Sequence, residues 1–359
     1  MAAWLVFCHH YPYGPPPPTG WPRLAHYSLL ELHGLPLLLL LSGFLIALRY
    51  DDGSSGFRPS GGWPAYLQTR LARIYPLFAL LTLLTFAWLW RWNSPHATLG
   101  ILLLNLSLLR GFFDEYKFSG IGQAWSLTLL ECLYLAAPVL FGLRRRGLPL
   151  WVQPLLLLVV GVGLVRVLAP LRWHGLFGSY GFMLQFTFLG HSLEFFVGVW
   201  LAGRYRRGLL ASGAGSWLTF SSVLLLLFIT AALAFLQAGL PLTPISEPLI
   251  LILNLLALPL AGGLLFAGLM KEDTFFRKLL SHRWFQILGR SSYAFYLLHA
   301  GPLSFWVYER LPASFLLRLL AVQLVSYLAY RFVEEPLTQW LRPRPVSARS
   351  ALLSPDAPR

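Results

Sequence analysis

Long apolar runs, separated by short polar loops, repeat along the whole chain. Their lengths recur near the roughly 20 residues that an α-helix needs to cross a bilayer. Taken in order, they predict ten membrane-spanning helices, over residues 1–11, 29–48, 65–90, 123–143, 150–168, 182–202, 217–236, 248–270, 284–308 and 315–340. The pattern therefore predicts an all-α, polytopic membrane domain over residues 1–341. The remainder, 342–359, mixes Pro, Ser and Arg and predicts a disordered cytoplasmic tail.

Composition and charge favour the same class. Hydrophobic residues make up 57% and charged residues 12% of the chain, against roughly 45–50% and about 25% in ordinary soluble domains. The formal net charge of +14 would suit a nucleic-acid partner, but the basic residues cluster in short loops between apolar runs. That is the positive-inside pattern of membrane proteins. We therefore expect the lipid bilayer as a partner and no nucleic acid.

The basic loops also predict an orientation. Ten spans alternate correctly, with both termini cytoplasmic, if the basic segments at 49–73, 144–146, 204–207, 271–283 and after 342 are cytoplasmic. We therefore expect a multi-pass protein of the inner, cytoplasmic membrane. Residues 99–109 form an apolar run too short to cross a core of about 30 Å. We interpret it as an extracytoplasmic interfacial or re-entrant helix.

Two histidines are candidate site residues. His10 ends the first apolar run, where a neutral imidazole can take a proton from a hydroxyl and so serve as a general base. An interfacial histidine that caps a helix is the alternative. His299 lies deep in the ninth predicted span. For it, a hydrogen-bonded core histidine is the alternative to a functional role.

Two glutamates lie within apolar runs, Glu131 in WSLTLLECLYLAAP and Glu194 in HSLEFFVGVWLA. A carboxylate in such surroundings must pair with a cation, become protonated or contact water. Both are therefore candidate functional residues. The alternative is a buried Glu–Arg pair that joins two helices.

Arg70 and Arg73, in RLARIYP, stand one helical turn apart at the start of a long apolar run. Their spacing puts two guanidinium groups on one helical face, and Arg binds phosphate bidentately. Coenzyme A offers several phosphates on the predicted cytoplasmic side. We interpret the pair as part of a site for an anionic acyl donor, with positive-inside anchoring as the alternative.

Ser42 and Gly43 interrupt the apolar run in LSGFLI. A small pair inside a membrane helix usually allows close helix packing. The functional alternative is that these small side chains make the wall of a substrate site thin, so that a substrate can approach the helix backbone.

Seven segments, in this order, resemble the membrane-bound acyltransferase family 3, whose members O-acylate polysaccharides, lipid-linked sugars and some small molecules. They are AAWLVFCHHY (2–11), LSGFLIALRY (41–50), RLARIYPLF (70–78), AWSLTLLECLYLAAPVL (124–140), EFFVGVWLA (194–202), GRSSYAFYLLHAGPL (289–303) and FVEEPLTQWLRP (332–343). Together they cover nearly the whole chain. The family's ten-span core agrees with the count from loop charge.

The resemblance implies transfer of an acyl group, commonly acetyl, from cytosolic acyl-CoA to a hydroxyl of a saccharide or glycolipid. It implies His10 as the catalytic base together with Glu131. Arg70, Arg73 and Tyr75 are implied in donor binding. The implied substrate contacts are Ser42, Trp125, Ser126, Glu194 and His299. Acyl-CoA is expected as a donor substrate and not as a permanently bound cofactor, and no metal is expected because Cys8 and Cys132 lie in apolar runs.

The chain departs from the family pattern in two places. The family carries an arginine eleven residues before the catalytic histidine, and that position falls upstream of Met1. Either the true start lies earlier or this copy lacks a functional residue, and the short first helix favours a missing N-terminal segment. The family's glutamate also follows directly after the position of Leu129, whereas here Leu130 stands there and the acid is Glu131. One residue along a helix is a rotation of about 100°.

Two other functions fit the same polar residues. A transporter of an anionic sugar or lipid intermediate would also need intramembrane Arg, His and Glu. An inactive, truncated relative is the third possibility. Dependence on acyl-CoA distinguishes the enzyme from both.

Overall fold

The computed structural model describes residues 2–10, 20–31, 34–51, 62–95, 97–210, 215–239, 246–312 and 314–343. They form helices α1 (Ala2–His10), α2 (Gly20–Leu30), α3 (Leu35–Tyr50), α4 (Gly62–Arg91), α5 (Leu99–Leu106), α6 (Trp125–Arg145), α7 (Val152–Leu168), α8 (Tyr180–Phe186), α9 (Ser192–Arg206), α10 (Trp217–Gly239), α11 (Ser246–Ile252), α12 (Leu258–Lys271), α13 (Phe275–Ser281), α14 (Arg283–Arg290), α15 (Ser292–Leu298), α16 (Pro302–Arg310), α17 (Phe315–Ala329) and α18 (Glu335–Leu341). Within these ranges there is no β-strand. The predicted all-α class is confirmed.

Six stretches of the described chain are long and apolar enough to cross a membrane. They are Gly62–Arg91, Gly122–Arg145, Val152–Leu171, Trp217–Gln237, Ser246–Lys271 and Phe315–Leu341. Each overlaps one predicted span. Two of them contain a π-helical turn, Leu253–Ala257 and Tyr330–Glu334, which joins α11 to α12 and α17 to α18. The count of ten spans stays a prediction.

Two predicted spans are wrong as single continuous helices. Residues 182–202 divide into α8 and α9, and residues 284–308 divide into α14, α15 and α16. The first break contains Gly190, where an added Cβ would overlap the carbonyl of Leu184. The second contains Gly301, whose φ of +112° favours glycine, followed by Pro302. A hydropathy pattern counts apolar residues and does not register such breaks.

The first predicted span corresponds to α1 over its described residues, Ala2–His10. The second predicted span is shorter than expected. The span predicted over residues 29–48 corresponds mainly to α3, a 16-residue apolar helix that begins at Leu35, after α2 has ended. Of the predicted tail, 342–359, all residues after Pro343 lie outside the described part of the chain.

The short run at 99–109 forms α5, whose 8 residues reach about 12 Å and do not cross a bilayer. The segment after it is organised by Arg110, which is fully buried. Its guanidinium donates to Oδ1 of Asn105 at 2.6 Å, to the carbonyl of Ile121 at 2.5 Å and to the carbonyl of Ser119. Arg110 thereby fixes the chain that leads into α6.

The tightest helix crossing joins α3 to α9. An added Cβ on Gly43 would overlap the backbone of Phe195, and one on Gly198 would overlap the carbonyl of Leu40. Two glycines therefore let the backbones touch, as small residues do between membrane helices. For Gly43 the structure supports the close-packing interpretation. Because α1 and α12 also contact α3, this crossing fixes the frame around the first histidines.

The crossing gives a matched pair of variants on one helix. Gly198→Ala forces α9 away from α3, so we expect a loss of about 1–3 kcal/mol in stability. Gly203→Ala, on the same helix, meets nothing within 4 Å and should be neutral or slightly stabilising. Thermal unfolding of the detergent-solubilised protein measures both. Equal melting temperatures for the two variants would contradict this account.

Candidate active site

His10 lines a cavity of about 310 Å³, here called the His10 cavity. Its walls come from the end of α1, the start of α3, the segment before α6 and the break between α8 and α9. The π-helical turn Leu253–Ala257 and α15 complete them. The polar residues that line it are His9, His10, Gln123, Gln185, His191, Asn254 and Tyr296, and the aromatic ones include Phe118, Trp125 and Phe186. Polar groups thus converge within an otherwise apolar membrane domain, as in a small-molecule site.

His10 and His299 are hydrogen-bonded to each other, with His10 Nδ1 and His299 Nε2 3.1 Å apart. The carbonyl of Tyr296 lies 2.7 Å from His299 Nδ1, and the carbonyl of Val6 lies 2.9 Å from His10 Nδ1. A carbonyl only accepts, so in two neutral rings both Nδ1 atoms carry the proton. His299 Nε2 then accepts from His10. This leaves His10 Nε2 unprotonated and without a partner among the described residues, which is the state of a general base.

His299 is itself fully buried at the helix break after α15. The break is held by Gln123, whose amide nitrogen lies 3.1, 2.9 and 3.2 Å from the carbonyls of Tyr296, Leu297 and Ala300. Gln123 therefore satisfies backbone groups that the broken helix leaves free. The ring of His299 is positioned by this arrangement.

A histidine–acid pair, His191 and Glu194, also lies at the His10 cavity. Nδ1 of His191 is 2.7 Å from Oε1 of Glu194, and Nε2 is 2.9 Å from the carbonyl of Gln185. Glu194 is fully buried and pairs with a histidine, not with an arginine as the structural alternative supposed. His191 lines the His10 cavity beside Trp125, at 6.4 Å between ring centroids.

A second cavity, of about 220 Å³, contains both predicted donor-binding arginines and is here called the arginine cavity. Arg70 and Arg73 line it together with Ser42 and Ser126. The guanidinium of Arg70 lies 5.3, 5.6 and 5.4 Å from the ring centroids of three tyrosines, Tyr50, Tyr66 and Tyr134. Aromatic faces of this kind stabilise a cation without neutralising it.

A third, polar cavity of about 250 Å³ adjoins the arginine cavity at Arg73, which lines both. Arg290 and Arg342 also line it, together with Glu334 and Glu335. The polar cavity lies at the end of the bundle where α14 and α18 terminate.

The arginine cavity and the His10 cavity adjoin each other as well. Leu35 and Tyr296 line both. The Tyr296 hydroxyl donates to the carbonyl of Gln123 at 2.9 Å and lies 2.5 Å from the Ser126 hydroxyl. Three cavities thus follow one another, from the polar cavity through the arginines to His10, with Tyr296 at the last boundary.

Two predicted site residues lie elsewhere. Glu131 does not line the His10 cavity; its electrostatic partner is Arg70, and its Oε1 has no hydrogen-bond partner among the described residues. At the corresponding place Leu130 lines the arginine cavity. Tyr75 lines neither cavity; the residue is 37% exposed, and its ring lies near Phe78. Within the described ranges no cluster of potential metal ligands occurs.

Sequence reasoning missed His191, Gln123 and Arg290. His191 carried a usable signal, because it stands three residues before Glu194 and so shares its helical face. Gln123 and Arg290 carried none, since their roles depend on helix breaks that hydropathy does not reveal.

The structure is that of a helical membrane protein with three adjoining cavities. His10 lines the cavity at one end of this row, and Arg70 and Arg73 line the middle one. A family model described as an acyltransferase domain matches residues 1–333. The chain belongs to this family, acyltransferase family 3. Comparison with curated proteins and comparison with solved structures gave no match.

The hydrogen-bond chain predicts the tautomer of His10. Near neutral pH, its Nδ1 should carry the proton and its Nε2 should not, because both neighbours of Nδ1 are acceptors. Nitrogen NMR of histidine-labelled protein, read as the difference between wild type and His10→Ala, measures this. A protonated Nε2 on a neutral His10 ring would contradict the arrangement.

Proposed function

We propose that the protein is a membrane O-acyltransferase that moves an acyl group, acetyl in the simplest case, from cytosolic acyl-CoA to a hydroxyl of a saccharide or glycolipid. One observation carries the proposal. His10, whose Nδ1 is hydrogen-bonded to the carbonyl of Val6 and to His299, lines a cavity that adjoins, across Tyr296, a second cavity with two arginines. Membership of the acyltransferase family supports the reaction class.

His10 acts as the general base in this proposal. Its Nε2 takes the hydroxyl proton of the acceptor as the oxygen attacks the thioester carbonyl. The C–O bond forms, the C–S bond breaks, and the proton returns to the departing thiolate of coenzyme A. His299 accepts a hydrogen bond from Nδ1 and so keeps the ring oriented, which is the role of the third group in other nucleophile–base arrangements. Holding both reactants in adjoining cavities lowers the barrier further.

The donor enters from the polar cavity in this proposal. Arg70 and Arg73 contact its phosphates, and Ser42 and Ser126 line the path of its arm towards Tyr296. Glu131 acts beside Arg70, on the donor side, and not at His10. The acceptor contacts Trp125 and the His191–Glu194 pair. The positive-inside pattern of the basic loops supports a cytoplasmic donor side, in an inner-membrane protein with both termini inside.

Loss of His10 tests the reaction directly. Membranes that contain wild type or His10→Ala are supplied with labelled acetyl-CoA and host glycolipids, and label in O-ester linkage is measured. We expect His10→Ala to lower the rate by about 10²–10⁴, the usual contribution of general-base catalysis. His174→Ala, at an exposed histidine, is the control. Equal labelling by His10→Ala and wild type would refute the assigned base, and uptake of an anionic sugar without acyl-CoA would favour a transporter.

The arginines are tested by charge-conserving substitutions. Arg70→Lys and Arg73→Lys retain the charge but lose the bidentate fork, so the apparent KM for acyl-CoA should rise about tenfold or more. Arg91→Lys, at the exposed end of the same helix α4, is the matched control. If both variants keep the wild-type KM for acyl-CoA, the proposed role of these arginines in donor binding is wrong.

A further inference from the structure

A separate apolar groove of about 740 Å³ lies between α7, α9, α10 and α12. Its apolar lining includes Phe196, Leu260, Leu264 and Ala267. Its lining residues are different from those of the three cavities described above. The groove is therefore not part of the proposed catalytic path.

Two cations line the groove, Arg204 near the end of α9 and Lys271 at the end of α12. The guanidinium of Arg204 lies 5.0 Å from the ring centroid of Trp200, which also lines the groove. Neither cation forms an ion pair or a side-chain hydrogen bond with any residue that the structure describes. Both charges are thus available to a ligand.

The acid next to Lys271 in the sequence is hydrogen-bonded elsewhere. Glu272 follows Lys271 directly, but its carboxylate accepts from the backbone N–H groups of Leu218 at 2.8 Å and Thr219 at 2.7 Å. Desolvation alone would raise the pKa of Glu272, but these hydrogen bonds hold the pKa below its ordinary value. Its carboxylate oxygens are therefore hydrogen-bonded to the start of α10, and its effect on Lys271 is electrostatic only.

The length of the groove corresponds to one leaflet. From Leu193 to Arg204 along α9, and again from Leu260 to Lys271 along α12, the rise is about 17 Å at about 1.5 Å per residue. That is roughly half of a hydrocarbon core of about 30 Å. Trp151 and Trp200, 70% and 48% exposed, also line it, and such rings favour the membrane–water boundary.

We propose that this groove binds one anionic phospholipid, with its headgroup phosphate on Arg204 and Lys271 and an acyl chain along Phe196 and Leu264. The lipid belongs to the leaflet next to the basic loops. Basic pockets between membrane helices on the cytoplasmic side bind anionic headgroups in this way. A zwitterionic lipid fits the apolar part equally well, but its choline group opposes the two cations. The proposal stands independently of the acyltransferase reaction.

Native mass spectrometry of the full-length protein in detergent, with equal amounts of phosphatidylglycerol and phosphatidylcholine, tests the site. We expect one phosphatidylglycerol to bind preferentially. Each basic side chain near an anionic lipid is worth roughly a fivefold change in affinity. Arg204→Gln/Lys271→Gln should therefore weaken phosphatidylglycerol binding by about 25-fold and leave phosphatidylcholine unchanged. Arg146→Gln/Arg207→Gln, with the same net charge and outside the groove, should retain the preference.

A second variant separates binding from folding. Leu264→Trp fills the groove and should remove one bound phosphatidylglycerol without changing charge. Melting temperatures in lipid-free detergent check that each variant is folded. Equal binding of the two lipids by wild type, equal loss in both charge variants, or displacement of the lipid by soluble glycerol phosphate would overturn the proposal.

Discussion

Backbone that leaves the helical path at membrane depth must find its hydrogen bonds within the protein, because lipid offers none. Here that requirement is met by Gln123, which serves three carbonyls at the break after α15, and by the buried Arg110 in the segment that precedes Gln123. The break in turn brings His299 against His10. The positions of His10, its partner His299 and the boundary residue Tyr296 therefore depend on one helix break whose free carbonyls are hydrogen-bonded within the protein.

The helices around this break are held close together where α3 and α9 touch at Gly43 and Gly198. The helix α3 passes next to α1, which carries His10, and α9 begins directly after His191. Contact at the two glycines thus sets the distance between the two histidine-bearing sides of the His10 cavity. A larger distance between α3 and α9 would move His10 and His191 apart, although both line the cavity of the same proposed substrate.

The sequence predicted the parts of this arrangement that depend on composition or local spacing. The helical class and the approximate positions of six of the ten predicted spans follow from apolar run length. The placement of Arg70 and Arg73 on one helical face follows from their i, i+3 interval. The breaks at Gly190 and Gly301 were not predicted, because apolar side chains continue on both sides of them. Consequently the pairing of His10 with His299 could not be predicted from the sequence. The pairing of His191 with Glu194 could have been, because the two residues stand three positions apart. Glu131 shows the limit most clearly, since one residue of shift along α6 moves it from the cavity wall to the side of Arg70.

Donor and acceptor meet, in this account, through three adjoining cavities that share Arg73 and Tyr296 as lining residues. Electron cryo-microscopy of the protein with a non-transferable thioether analogue of acetyl-CoA tests it most directly. The account predicts phosphate density beside Arg73, the arm running past Ser42 and Ser126, and the sulfur next to His10 across a displaced Tyr296. Analogue density that leaves both Arg73 and the His10 cavity empty would contradict it.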